Sequence, residues 1–190
     1  WMYLATSAWV WVRYLALYGL PAGLSADTDL ALFESAADPR VFIGVAFLLA
    51  TLAVAWVASR TREQRPIAFG ILWFWIAIAP TSTVVPLGEV TNDHRYFIGF
   101  IGLNLAVTYS GWQLLRGLPA TGYKPQAMLL LAILLAHSTG TFVRNTVWRD
   151  DETLWADVAR KSPRNGRGLM NYGVALYQRG RHAEARDLFL

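Results

Sequence analysis

The chain has 190 residues, 55% of them hydrophobic and 16% charged, with a net charge of +4 and no cysteine. A soluble domain carries about 25% charged residues, so the composition argues against a wholly water-exposed fold. The lack of cysteine excludes a disulfide framework and a thiolate metal site. The basic residues are mixed with acids and form no run interleaved with exposed aromatics, which speaks against a nucleic-acid partner.

The charges are unevenly placed. Residues 1–143 hold fifteen of the thirty, and the much shorter stretch 144–190 holds the other fifteen. This predicts two regions: a membrane region over 1–143 and a polar tail over 144–190. The expected class is all-α, a polytopic membrane helix bundle followed by a helical hairpin. The lipid bilayer is then the first partner.

Five apolar segments follow one another. Residues 1–20 are rich in Trp and Tyr and are interrupted by Arg13. Residues 41–59 and 96–115 carry no charge, and residues 125–143 contain a single titratable group, His137. Residues 66–80 are shorter and run on toward Val84 and Val85. Crossing the hydrocarbon takes roughly 20 residues, so four or five membrane helices are expected and no sheet. Arg13, alone in its segment, is expected to snorkel or to face a polar interior. Along the fourth segment Gly102, Ala106 and Ser110 recur every four residues, with Gly99 just before. Such a stripe admits a close helix neighbour, either inside one bundle or in an oligomer.

Orientation comes from the short loops. Loops 60–65 and 116–124 hold five basic residues, against two in loops 21–40 and 81–95. The first pair is therefore expected in the cytoplasm, and by parity the tail lies outside. Loop 21–40 is acidic, with Asp27, Asp29, Glu34 and Asp38.

The most polar stretch at the membrane edge is 86–96, just before the fourth segment. It holds Glu89, Asp93, His94 and Arg95. An Arg beside a His suits a phosphate or pyrophosphate, because the guanidinium is a planar fork of donors and imidazole moves a proton near neutral pH. The other reading is an interfacial cap in which Arg95 pairs with Glu89 or Asp93. The candidate substrate-binding residues are Arg95, His94 and Glu89. No metal constellation, phosphate loop or nucleophile motif is present, so no cofactor and no catalytic residue is assigned.

The tail is helical. Residues 150–161 form an amphipathic helix with acids at its start, where the helix dipole favours them, and Pro163 stops it. Leu169, Tyr172, Gly173, Leu176, Gly180, Ala185 and Phe189 then stand at offsets 0, 3, 4, 7, 11, 16 and 20. This is the spacing of a tetratricopeptide (TPR) repeat, a helix pair with a small residue where the helices touch. Such arrays bind extended peptides, so a protein or peptide partner is expected. Arg164, Arg167, Arg179, Arg181 and Arg186 read as solvated surface. The chain starts within apolar sequence and stops inside a repeat, and a stable stack needs about three repeats. The expectation is therefore an interior piece of a longer protein.

Three ordered strings carry a family resemblance. They are Tyr14-Leu15…Pro21-Ala22-Gly23-Leu24-Ser25-Ala26-Asp27, then Ala79-Pro80-Thr81-Ser82…Val85-Pro86-Leu87…Glu89…His94-Arg95-Tyr96, and Arg144-Asn145…Trp148…Leu154-Trp155…Ser162-Pro163-Arg164-Asn165. Together they resemble the membrane TPR proteins related to the transmembrane O-mannosyltransferases (TMTC-like, GT-C class). The resemblance implies the C-terminal half of a GT-C membrane domain and a polyprenyl-phosphate sugar as donor. It also implies TPRs on the extracytoplasmic side, which in a bacterial inner membrane is periplasmic. The acidic catalytic residue of that class falls upstream of this chain. The competing reading is a non-enzymatic TPR scaffold, or an accessory subunit of a larger membrane complex. An acidic motif in the first outer loop of the full-length protein separates the two. A transporter is disfavoured, because no charge pairs sit mid-membrane.

Overall fold

The computed structural model describes residues 1–84, 88–91, 95–116 and 124–190, with the side chains of 83, 84, 124–126 and 129 left aside. Among the described residues every regular element is helical, as the apolar runs require. Five long helices come first: α1 (Met2–Gly19), α2 (Pro39–Ser59), α3 (Arg65–Ala79), α4 (Phe97–Arg116) and α5 (Lys124–Asn145). A π-helical turn, Pro80–Val84, extends α3. Three shorter helices follow a single 3₁₀ turn: α6 (Asp151–Lys161), α7 (Gly166–Gln178) and α8 (His182–Phe189).

Of the five apolar segments, α2 alone is both long and apolar enough to cross a membrane among the described residues. The reasons differ from helix to helix. Arg13 interrupts α1, α3 stops at 15 residues, and Asn104 and Gln113 dilute α4. The continuation of the third segment reaches Val84 as the π-helical turn, and Val85 lies outside the described residues.

The chain forms two compact units. The first comprises Trp1–Leu24 and Leu30–Leu118, and therefore contains α1–α4. Its helices meet at small residues. A Cβ placed on Gly44 of α2 would lie 2.1 Å from the Ala8 carbonyl oxygen of α1. A Cβ on Gly70 of α3 would lie 2.3 Å from the Gly102 carbonyl oxygen of α4. Ala55, Ala58, Ala68 and Ala106 are also buried. The stripe on α4 is thus spent on α3 within this chain: Gly102 and Ala106 meet Gly70, and Gly99 meets Phe74 and Ile78.

Large aromatics fill what the small residues leave. Trp11 meets Trp75 edge-on at 5.2 Å, and Tyr14 lies 4.7 Å from Tyr96. The outward faces of α2 and α4 expose Phe42, Ile43, Leu49, Val54, Phe97, Ile98 and Ile101. The unit thus closes its helix crossings on small residues, buries large aromatics between them and leaves further large apolar side chains on its outer faces.

The second unit comprises Ser25–Asp29 and Pro119–Leu190. Its helix ends are written locally. Asp150 accepts the Thr153 amide at 2.9 Å, and Thr153 Oγ1 returns the contact to the Asp150 amide, a capping box. Asn165 caps α7 by accepting the Gly168 amide at 2.9 Å. Gly180, at φ 79°, ends α7. There the Arg181 amide donates to the Leu176 carbonyl and the Gly180 amide to the Tyr177 carbonyl, a Schellman turn.

Short turns fold α6 back on α7 and α7 on α8. Gly168 admits Val158, whose Cγ1 would stand 2.6 Å from an added Cβ. Gly173 admits the Phe189 ring, which would stand 2.5 Å away. Val158, Ala175, Leu176 and Ala185 are buried between these helices.

Candidate functional site

The polar stretch before α4 belongs to the first unit. Arg95 and Glu89 are brought together there. Arg95 Nη1 donates to the Glu89 carbonyl oxygen at 2.8 Å, and Nη2 stands 3.7 Å from Glu89 Oε2. Their side chains are 14% and 15% exposed, so the pair is largely out of water. Val90 and Thr91 are buried beside it, and Tyr96 packs on Phe100 at 4.4 Å. His94 and Asp93 lie outside the described residues. This geometry holds a guanidinium in place by a main-chain acceptor and a carboxylate at the edge of contact distance. The Nη2 contact is long for an ion pair.

The second unit carries a polar constellation that had no assigned role in the sequence. Asp27 is 2% exposed and accepts Arg167 Nε at 2.7 Å, with Arg167 Nη2 at 2.6 Å from the same oxygen. Its other oxygen accepts the Thr28 amide at 2.8 Å. Asn165 Nδ2 donates to the Thr28 carbonyl at 3.1 Å, and the Arg164 amide points to Asp29 Oδ2 at 3.4 Å. Residues Ser25–Asp29 therefore lie against the start of α7 as an acidic, irregular segment. Arg167 is half exposed, as its expected surface place implies, and its head also engages a buried carboxylate. Arg179 and Arg181 likewise both engage Glu152, at 2.7 and 2.6 Å. The one sequence signal for Asp27 was its place at the end of the Pro21–Asp27 string, since nothing in local periodicity pairs residues 140 apart.

We expect Asp27→Ala to destabilise this unit by about 2 kcal/mol, because hydrogen bonds to charged groups contribute about 1.5–3 kcal/mol. Hydrogen exchange of the Gly168 and Leu169 amides in the full chain reads this out. Unchanged protection would mean that the segment is not part of the fold of α7.

A third cluster stands where α5 meets α6. Asp157 accepts Arg144 Nη1 at 2.6 Å, Lys161 Nζ at 2.7 Å and Arg160 Nη2 at 2.8 Å. Burial pushes the Asp157 carboxyl up, and the hydrogen bonds from Lys161, Arg144 and Arg160 more than reverse this, holding it below its ordinary value. The arrangement is a fastener, since every oxygen faces a cation. Among the described residues, no group of three or more His, Asp or Glu is placed to hold a metal ion.

Comparison with known proteins gives two distant similarities. Over 145 residues the chain is 27% identical to protein O-mannosyl-transferase Tmtc3 of Drosophila melanogaster, covering 73% of this chain and 16% of that protein. Over 161 residues it is 25% identical to protein O-mannosyl-transferase TMTC1 of Mus musculus, covering 83% of this chain and 17% of that protein. No family model and no solved structure matches. The chain thus spans less than a fifth of the length of these relatives, and the likeness supports a distant, partial relationship to the TMTC O-mannosyltransferases.

Proposed function

We propose that this chain is part of a membrane glycosyltransferase of GT-C type that takes a sugar from a polyprenyl phosphate. The observation that carries the reading is the partial similarity to two protein O-mannosyl-transferases. Two physical features support it. The first unit closes its helix crossings on small residues and leaves many large apolar side chains exposed, which suits lipid as solvent. It also holds a mostly buried guanidinium, Arg95, whose Nη2 stands at a long 3.7 Å from the Glu89 carboxylate. In this reading residues 1–143 form the membrane region, and residues 144–190 begin a TPR array for an acceptor or partner protein. The loop charges favour an array outside the cytoplasm, periplasmic if the membrane is a bacterial inner one. Arg95 and His94 meet the donor phosphate, with Glu89 holding Arg95 in its absence, and the catalytic acid comes from sequence upstream.

The Arg95–Glu89 pair also favours a second reading, a scaffold in which the pair only caps α4. Sugar transfer from a polyprenyl-phosphate donor by the full-length protein separates the two. Arg95→Lys keeps the charge and loses the planar fork, so donor use should fall at least tenfold, about 1.4 kcal/mol. Glu89→Gln removes the competitor and should leave donor binding equal or tighter. Wild-type transfer by Arg95→Lys, with equal loss of thermal stability in both variants, favours the scaffold.

A further inference from the structure

Among the described arginines of the first unit, Arg13 is set apart by a buried donor. Arg13 makes no hydrogen bond or ion pair among the described residues, and its Nε is buried without a partner. It lines an open cavity of about 540 Å³. Trp9, Val12, Ala16, Leu17 and Leu20 share that wall with it. They recur at helical spacing, so the wall is one face of α1, about 16 Å long at 1.5 Å per residue. The lip is the main chain at Ala22 and Gly23. The Ala22 amide donates to the Leu20 carbonyl at 2.8 Å, and Gly23 adopts φ 69°, a left-handed turn that suits glycine.

We propose that this cavity binds the phosphate headgroup of a bilayer phospholipid, with Arg13 as its charge partner. The inference rests on the membrane reading above. Arg13 lies six residues before the end of α1 at Gly19, about 9 Å along the axis. A snorkelling guanidinium reaches headgroup level from there. In that setting an unpaired guanidinium is unfavourable, and a phosphate diester supplies the missing charge and the acceptor for Nε–H. The rest of the wall is apolar and suits the start of an acyl chain. It offers no carboxylate, amide or hydroxyl side chain to hydrogen-bond a sugar. The cavity therefore suits a phospholipid and not a glycosylated donor, and it is distinct in role from the Arg95 site.

The test uses the full-length protein in phosphatidylcholine nanodiscs with and without phosphatidylglycerol, an anionic phosphate diester, with bound lipid counted by native mass spectrometry after extraction. Wild type should retain one anionic phospholipid. Arg13→Gln should lower retention at least tenfold, and Arg13→Lys should keep most of it, because a lone phosphate accepts a point charge. Arg95→Gln should retain the lipid while losing donor use, so failure at one site is separable from failure at the other. Equal retention by wild type and Arg13→Gln overturns the proposal. So does displacement of the lipid by inorganic phosphate alone, or by decyl maltoside as readily as by decyl phosphate. If Arg13→Gln does not fold, the same two competitions on wild-type protein decide. A protein that does not enter nanodiscs overturns both this site and the membrane reading.

Discussion

Gly102→Leu is expected to lose about 3 kcal/mol of stability, the upper end of what overpacking costs. A Cβ there would stand 2.5 Å from the Gly70 carbonyl oxygen and 2.7 Å from Trp73 Cβ and Cδ1. Neither neighbour yields cheaply. The Gly70 oxygen is helix backbone, and Trp73 is anchored by Nε1 donating to the Ile98 carbonyl at 2.9 Å. The two helices would have to move apart, and the contacts of Ala106 with Gly70 and of Gly99 with Phe74 and Ile78 would open with them. Gly111→Ala on the same helix is the matched control, because an added Cβ meets nothing within 4 Å. It should be neutral or gain up to about 1 kcal/mol from helix propensity. Thermal midpoints of the full chain in detergent report both. Equal midpoints for Gly102→Leu and wild type would mean that α3 and α4 do not meet at their glycines.

Asp157→Ala is expected to cost about 3 kcal/mol, since removing one partner of a buried ion pair leaves the other uncompensated. Asp157 is 4% exposed and Arg144 16% exposed, so Arg144 cannot turn freely to water. Arg160, 77% exposed, loses little. The same site sets an acid limit. The folded carboxyl is held below its ordinary value, so its contribution is fully present above the unfolded value, near 3.9. It is lost as pH falls through the folded value. Protection of α6 and α7 amides in the full chain should therefore weaken below about pH 4. Asp157→Asn should show lower protection at neutral pH and a flatter acid response. An acid response identical in wild type and Asp157→Asn would assign the loss to other carboxylates, such as Asp150, whose hydrogen bond from the Thr153 amide also lowers it.

The sequence by itself determined the helical class and most helix limits. Uncharged runs of membrane length specify α2 and α4. Asp150, Asn165 and Gly180 start or stop the helices of the tail through contacts within six residues. The Arg95–Glu89 contact was legible for the same reason, as a pairing across six positions. Gly173 was legible as a point of close approach from its expected place between two helices of the tail, and it meets Phe189 there.

Tertiary structure alone decided three things. It committed the small stripe of α4 to α3, where spacing allowed any helix partner. It built Ser25–Asp29, from the connection between α1 and α2, into the unit of α6–α8 through Asp27 and Arg167. And it left Arg13 lining a cavity while other arginines of this chain found carboxylates. Periodicity and caps are local signals that reach a few residues, whereas a pairing across 140 positions depends on where the chain returns in space. No local rule encodes that return.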